Sequence, residues 1–256
     1  MSGLRANQAA LTLVSSNVAN VETPGYVRKS VNQVQTTTGT GSAGVTVTGV
    51  NRELDVYVQK QVLTETSGAS YASTLANALQ RLQGIYGDPS SDTTLEAAFN
   101  QLTAALQALS TTSDSPAART TAVNAAQSLA QMLNSASAGI QSLRADAESS
   151  IKSSVDAANN AMKQIATINN QLLGTTGDDA AAASLLDQRD QYVAQLSQLM
   201  DIRVITNDRN QVTVFTNSGV QLVGSEAATI SFDAQGTVTP NTTWSSDPSK
   251  STLGTL

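Results

Sequence analysis

The chain of 256 residues contains no cysteine and no histidine. Disulfides, thiolate nucleophiles, Cys/His zinc sites and imidazole acid–base catalysis are therefore excluded together. Charge is scarce as well. Asp, Glu, Lys and Arg make up 13% of the residues, where a globular domain usually carries about a quarter. The balance is acidic, with a net charge of −6, and no basic run occurs. Counterion release from a phosphate backbone has no source in such a chain, which excludes nucleic acid as a partner. An anionic lipid surface fits no better. No apolar run approaches the roughly 20 residues of a membrane-spanning helix, so no membrane insertion is expected. The first 21 residues lack the continuous apolar core of a cleaved signal peptide. The chain is thus expected to stay in the cytoplasm or to leave by a route without signal cleavage. Neither a Gly-x-Ser-x-Gly elbow nor a phosphate loop ending in Lys-Ser/Thr is present. No catalytic residue, cofactor or metal ligand is nominated.

Aromatics are only 4% against 40% apolar residues in all, so any core must be built from Leu, Val, Ile and Ala. Residues Ser2 to Asn20 are predicted to form a helix. Leu4, Leu11, Val14, Val18 and Val21 recur in steps of seven, three, four and three, the spacing of a coiled-coil seam. An ordinary packed helix is the bland reading. The position at the terminus, before a Pro-Gly turn and a Gly-rich stretch, favours a partner helix from elsewhere. In Thr23-Pro24-Gly25-Tyr26, Pro24 presets φ and Gly25 supplies the positive φ of a type II turn. Tyr26, Val27, Val31 and Val34 favour extended chain, Gly39, Gly41 and Gly44 a flexible connection, and Val45, Val47 and Val50 a short strand.

From Leu54 the period becomes helical. Leu54, Val58 and Val62 lie four apart; after Gly68 the row continues through Tyr71, Leu75, Leu79, Leu82 and Tyr86, ended by Gly84, Gly87 and Pro89. Tyr71 and Tyr86 are expected in a core or an interface. Thr93-Thr94-Leu95-Glu96 fits a capping box with Thr93 as the cap. Leu95, Phe99, Leu102, Leu106 and Leu109 mark the next helix, and Ser115-Pro116 opens another as cap and first residue. A long stripe follows, through Ile140, Leu143, Ile151, Val155, Met162, Ile165 and Leu172, with Gly139 a potential bend. Gly174 and Gly177 close it, and Asp178 or Asp179 would cap a helix carrying Leu186, Val193, Leu196 and Met200. After Asp201, short Val/Ile/Phe runs separated by Asn207-Asp208, Asn217-Ser218-Gly219 and Ala234-Gln235-Gly236 indicate a β-rich domain. Few large apolar residues follow Trp244, so this domain is expected to be incomplete and the chain a piece of a longer protein.

Leu185-Leu186-Asp187-Gln188-Arg189-Asp190 holds two carboxylates that could in principle work as acid and base. The bland reading is preferred: acids near a helix start favour the dipole, with Arg189 facing solvent or a neighbouring helix. Asp88, Ser90 and Asp92 open like a calcium loop, but Thr93 stands where the loop needs Gly and Pro89 sits second.

Asn17, Asn20, Thr23, Pro24, Gly25 and Tyr26, with Arg28 as the basic residue shortly after, resemble the N-terminal signature of the flagellar axial family of rod, hook and hook-associated proteins. Within it, Val50 to Asp55 (with Arg52), Ser115 to Arg119 (with Pro116) and above all Leu185 to Asp190 look like hook-associated protein 1. The likeness covers about residues 2–223. It implies a non-enzymatic subunit joining hook to filament, exported unfolded through the flagellar type III apparatus. It also implies self-association in a ring or helical layer, the hook protein and the next hook-associated protein as neighbours, and an export chaperone. The family pairs its terminal helix with a C-terminal amphipathic helix, and no such helix precedes Leu256. The expected fold is mainly α: 1–50 a terminal helix and extended segment of the inner layer, 51–201 an elongated helical, coiled-coil-like domain, 202–256 the start of an outer β-rich domain. Two alternatives stand beside it: a hook or rod subunit, and a secreted adhesin or enzyme with a ligand-binding β domain.

Overall fold

The computed structural model describes residues 2–38, 42–88, 91–175 and 180–234. The fold is mainly α. Helix α1 (Ser2–Ala19) is followed by the strands β1 (Lys29–Thr38) and β2 (Ser42–Arg52), which pair as an antiparallel hairpin. Helices α2 (Val56–Tyr86), α3 (Leu95–Thr111), α4 (Pro116–Leu172) and α5 (Ala180–Leu199) come next. The strands β3 (Ile202–Thr206), β4 (Val212–Thr216) and β5 (Gln221–Val223) close the described chain as a three-stranded antiparallel sheet.

Several boundaries depart from the sequence expectation. Gly44 lies inside β2, paired with Thr36, and belongs to no flexible connection. Gly84, expected to help end the helix, does not interrupt α2, which runs through it as it does through Gly68. One glycine costs a helix only about 1 kcal/mol, which the surrounding Ala, Leu and Gln can offset. The stop comes at Gly87, whose φ of +82° a side chain would resist. The cap of α3 is Thr94, one residue later than the pattern suggested: its hydroxyl accepts from Ala97 N at 3.1 Å, while Thr93 is drawn into a turn with Ser91. Ser115 caps α4 as expected, accepting from Ala118 N at 3.3 Å, with Pro116 first in the helix. Gly139 leaves α4 unbroken, and an added Cβ would lie 3.1 Å from Ile85 Cγ1, so its smallness serves close helix approach. Pro89, Gly177, Asp178, Asp179 and everything from Gln235 on lie outside the described residues.

The contacts divide into two units. One takes Met1–Ser70 and Ser154–Ser231. Its interior joins the end of α4 (Ala158, Ala161, Met162, Ile165) to Val193 and Leu196 of α5 and to Val212, Val214, Leu222 and Val223 of the sheet. A small second cluster gathers Ile168, Leu172 and Ala182, with Leu185 and Leu186 packed against it. The other unit is built on Tyr71–Ser153. Its buried apolar residues are small, Ala98, Ala105 and Ala122. Tyr71 and Tyr86 are exposed there and belong to no core.

Asparagine joins helix to extended chain in the first unit. Asn169, fully buried, donates to Val212 O (2.7 Å) and accepts from Val212 N (3.1 Å). Asn159 grips Ile230 in the same way, at 2.8 and 2.9 Å. A side-chain amide presents the same donor and acceptor as a peptide group, so each replaces a neighbouring strand.

Candidate assembly interface

The turn after α1 is the type II turn that the sequence predicts. Gly25 has φ +78° and Tyr26 N donates to Thr23 O at 3.1 Å. Asn17 is the centre of the motif. Its amide donates to Lys29 O (2.8 Å) and its Oδ1 accepts from Lys29 N (3.0 Å) and from the Tyr26 hydroxyl (3.0 Å). This is the third asparagine to grip one residue at both its peptide groups. Asn20 ties the helix end, donating to Ser16 O and accepting from the Thr23 hydroxyl. Together these bonds fold the chain back so that α1 packs along both hairpin strands, with Ala6 buried.

The seam of α1 is bare. Leu4, Leu11, Val14 and Val18 are between 56% and 71% exposed, and Val21 continues the row. Each such residue would gain roughly 1.5–3 kcal/mol on full burial. The hairpin cannot cover them, since Thr, Ser, Gln and Asn fill much of β1 and β2.

The hairpin register sets Lys29 directly opposite Arg52. Two cations at one cross-strand position repel. Asp187 of α5 lies between them: its Oδ2 is 2.5 Å from Lys29 Nζ and its Oδ1 accepts from Arg52 Nε at 2.9 Å. The Lys29 contact does not have hydrogen-bond geometry, so charge attraction carries it. Lys29 Nζ also stands 4.3 Å from the centre of the Tyr26 ring. Asp190 accepts from Arg52 at 2.7 Å and from Arg189 at 3.0 Å. Gln191 adds a bond to Pro24 O at 3.0 Å.

Arg189 corrects the reading of its motif. It does not face solvent but is buried, pairing with Asp190 and donating to the Asn210 carbonyl in the β3–β4 turn. Burial lowers the pKa of its guanidinium below the ordinary value, and Asp190 opposes that shift. Asp187 is likewise buried, two turns into α5, too far from the helix start to serve its dipole. Gln188 is exposed.

The other nominated residues have local work. Asp55 caps α2, accepting from Tyr57 N and Val58 N. Arg119 donates twice to Ser113 O ahead of α4. Arg28, named as the basic residue of the signature, is exposed, while its neighbour Lys29 makes the ion pair. Lys29, Gln191 and the two core asparagines were missed by sequence reasoning. Only strand alternation from Arg52 back across the hairpin could have pointed to Lys29. Among the described residues no group of acidic side chains could hold a metal ion, and no helix is long and apolar enough to cross a membrane.

Residues 79–255 match the family of the flagellar hook-associated protein FlgK helical domain, and residues 1–26 match the flagella basal body rod protein family. Among curated relatives, flagellar hook-associated protein 1 of Salmonella typhimurium is 32% identical over 89% of this chain and 42% of its own length. The Escherichia coli protein of that name is 30% identical over 99% of this chain and 46% of its length. That of Bacillus subtilis is 26% identical over 99% and 48%. The chain thus spans less than half of the relatives it matches. A solved structure, the flagellar hook junction protein FlgK from Burkholderia pseudomallei, superposes with a TM-score of 0.59 at 29% identity, over 66% of this chain and 29% of that one. The chain belongs to the flagellar hook-associated protein FlgK family.

Proposed function

We propose that the chain serves as part of a structural, non-enzymatic subunit that joins flagellar hook to filament by polymerising through helix packing. The supporting observation is the row Leu4, Leu11, Val14 and Val18, solvent-exposed on a helix whose opposite side is already held by the hairpin. A lone helix of 18 residues is marginal in water, and cover from neighbouring helices stabilises it. On this reading 1–50 lies in the inner layer, 51–201 forms the next, and 202–256 begins an outer β domain. Its partners are further copies of itself, the hook protein and the next hook-associated protein. An export chaperone keeps it competent for passage, without signal cleavage, to an extracellular site on the flagellum.

The test places Leu11→Asp with Val18→Asp in the complete protein, in cells that lack their own copy. The altered protein should fold and be exported while filaments fail to attach. Normal filaments would reject the role of the seam. The match of residues 1–26 to a rod protein family favours a second reading, a rod or hook subunit. Labelled protein found in a single band at the hook–filament boundary supports the first reading; label along the hook or in the basal body supports the second.

A further inference from the structure

We propose that Asp187 is the keystone of an electrostatic latch that holds α1 and its hairpin on α5 and can open while the core beneath stays folded. The inference rests on the assembly reading only for what the latch carries. Three observations support it. Neither apolar cluster of this unit contains a described residue from 2–52; the cores are made by α4, α5 and β3–β5, with Leu63 of α2 packed against the larger one. The hairpin and the turn are tied to α5 by polar links: Lys29 and Arg52 to Asp187, Arg52 to Asp190, and Gln191 to Pro24 O.

The third observation is the register. Lys29 and Arg52 stand opposite each other, so the undocked hairpin holds two cations side by side. Docking places one carboxylate oxygen of Asp187 on each. The repulsion inside the hairpin and the attraction to α5 are thus one switch. Removing the acid from between two nearly buried cations leaves Lys29 without its carboxylate and Arg52 with Asp190 alone, and opening to water relieves the repulsion between them. Among the described residues the ion-pair partners of Asp187 are the two hairpin cations, whereas Asp190 also holds Arg189 and through it the β3–β4 turn. Asp187 can therefore be neutralised without cutting a link inside the core. In this scheme Asp187 is a positioning residue. It fixes where the bare row of α1 points, and it lets the segment swing free without unfolding the molecule.

Native-state hydrogen exchange on the 256-residue chain, followed residue by residue, tests this. In Asp187→Asn, amides of β1 and β2 should exchange at least about tenfold faster, with those of Ile165, Leu196 and Val214 unchanged. Adding Lys29→Met to Asp187→Asn should return most of the lost protection, because the surviving cation no longer faces another. Three results would overturn the latch: hairpin exchange that does not change, core amides or the whole chain loosening with the hairpin, or Lys29→Met adding to the loss instead of reversing it. The measurement needs no assembly. Its failure leaves the seam's role standing, and normal filaments from the seam variant leave the latch standing.

Discussion

Helix α1 and the end of α4 carry the same kind of stripe and meet opposite fates. On α4, Ala158, Met162, Ile165 and Leu172 are at most 6% exposed; on α1, Leu4, Leu11, Val14 and Val18 are all more than half exposed. The stripes differ little in chemistry. The elements next along the chain from each helix differ a great deal. After α4 come α5, with Val193 and Leu196 aimed at it, and a sheet whose Val212, Val214 and Leu222 complete the cover. After α1 comes a Thr- and Ser-rich hairpin that buries Ala6 and leaves the seam alone. Amphipathic spacing states a demand for burial. Whether the same chain meets that demand depends on the elements available to pack there.

The comparison breaks most visibly where the cover is complete. Leu196→Ala empties a site with no solvent exposure, and truncating such a leucine costs about 2–5 kcal/mol. Thermal or urea unfolding of the chain should show a loss of that size; a loss below about 1 kcal/mol would mean that the α4–α5–sheet interior is loosely filled. Next in size is Asn159→Ala. It strips partners from both the N–H and the carbonyl of Ile230, at about 1–3 kcal/mol. Faster exchange at Ile230, with Val214 unchanged, would mark the asparagine as a local staple for the chain after β5.

Much of this was legible in the sequence, and the limits have a physical cause. The helical segments, the short strands after Asp201, the Gly25 turn and the Ser115 cap follow from local patterns of spacing and backbone preference, and the structure contains each of them. Thr94 displaced Thr93 as a cap because two adjacent hydroxyls compete for one position, and the turn made by Ser91 decides between them. Leu185 to Asp190 was picked out as a motif, but its chemistry was misread. The partners of Asp187 lie more than a hundred residues upstream, and only the fold brings Lys29 and Arg52 to it. Nothing in the local pattern sets Asn159 and Asn169 apart from the other polar residues of a long helix. Asn169 is buried and Asn159 partly so, because the backbone at Val212 and Ile230 arrives there to be paired.

Gly25→Val tests the joint between the two regimes, where α1 turns into the hairpin. A residue with φ near +78° pays about 1–2 kcal/mol when it carries a side chain. The new Cβ would also meet Gln191 Cγ at 2.6 Å, though that flexible side chain can move aside at the loss of its bond to Pro24 O. Exchange at Lys29 and Tyr26 should rise while unfolding of the core shifts little. An unaltered exchange pattern would argue that the turn tolerates another geometry.

The smallest effect on the isolated chain is the most discriminating one. Leu11 is 68% exposed, so Leu11→Ala gives up almost no buried surface, and alanine is the better helix former. Stability of the isolated chain should change by no more than about 0.5 kcal/mol. If the seam is buried by neighbours in an assembly, the same truncation there removes a covered leucine and costs several times more. Leu11→Ala should therefore leave the unfolding midpoint in place and raise the protein concentration needed to polymerise. A clear fall in monomer stability would mean that the leucine is already covered within its own molecule. The contrast between α1 and α4 would then vanish, since both stripes would be satisfied inside one chain. An unchanged polymerisation threshold would keep the contrast and remove its purpose, leaving the bare row of α1 without a part in joining subunits.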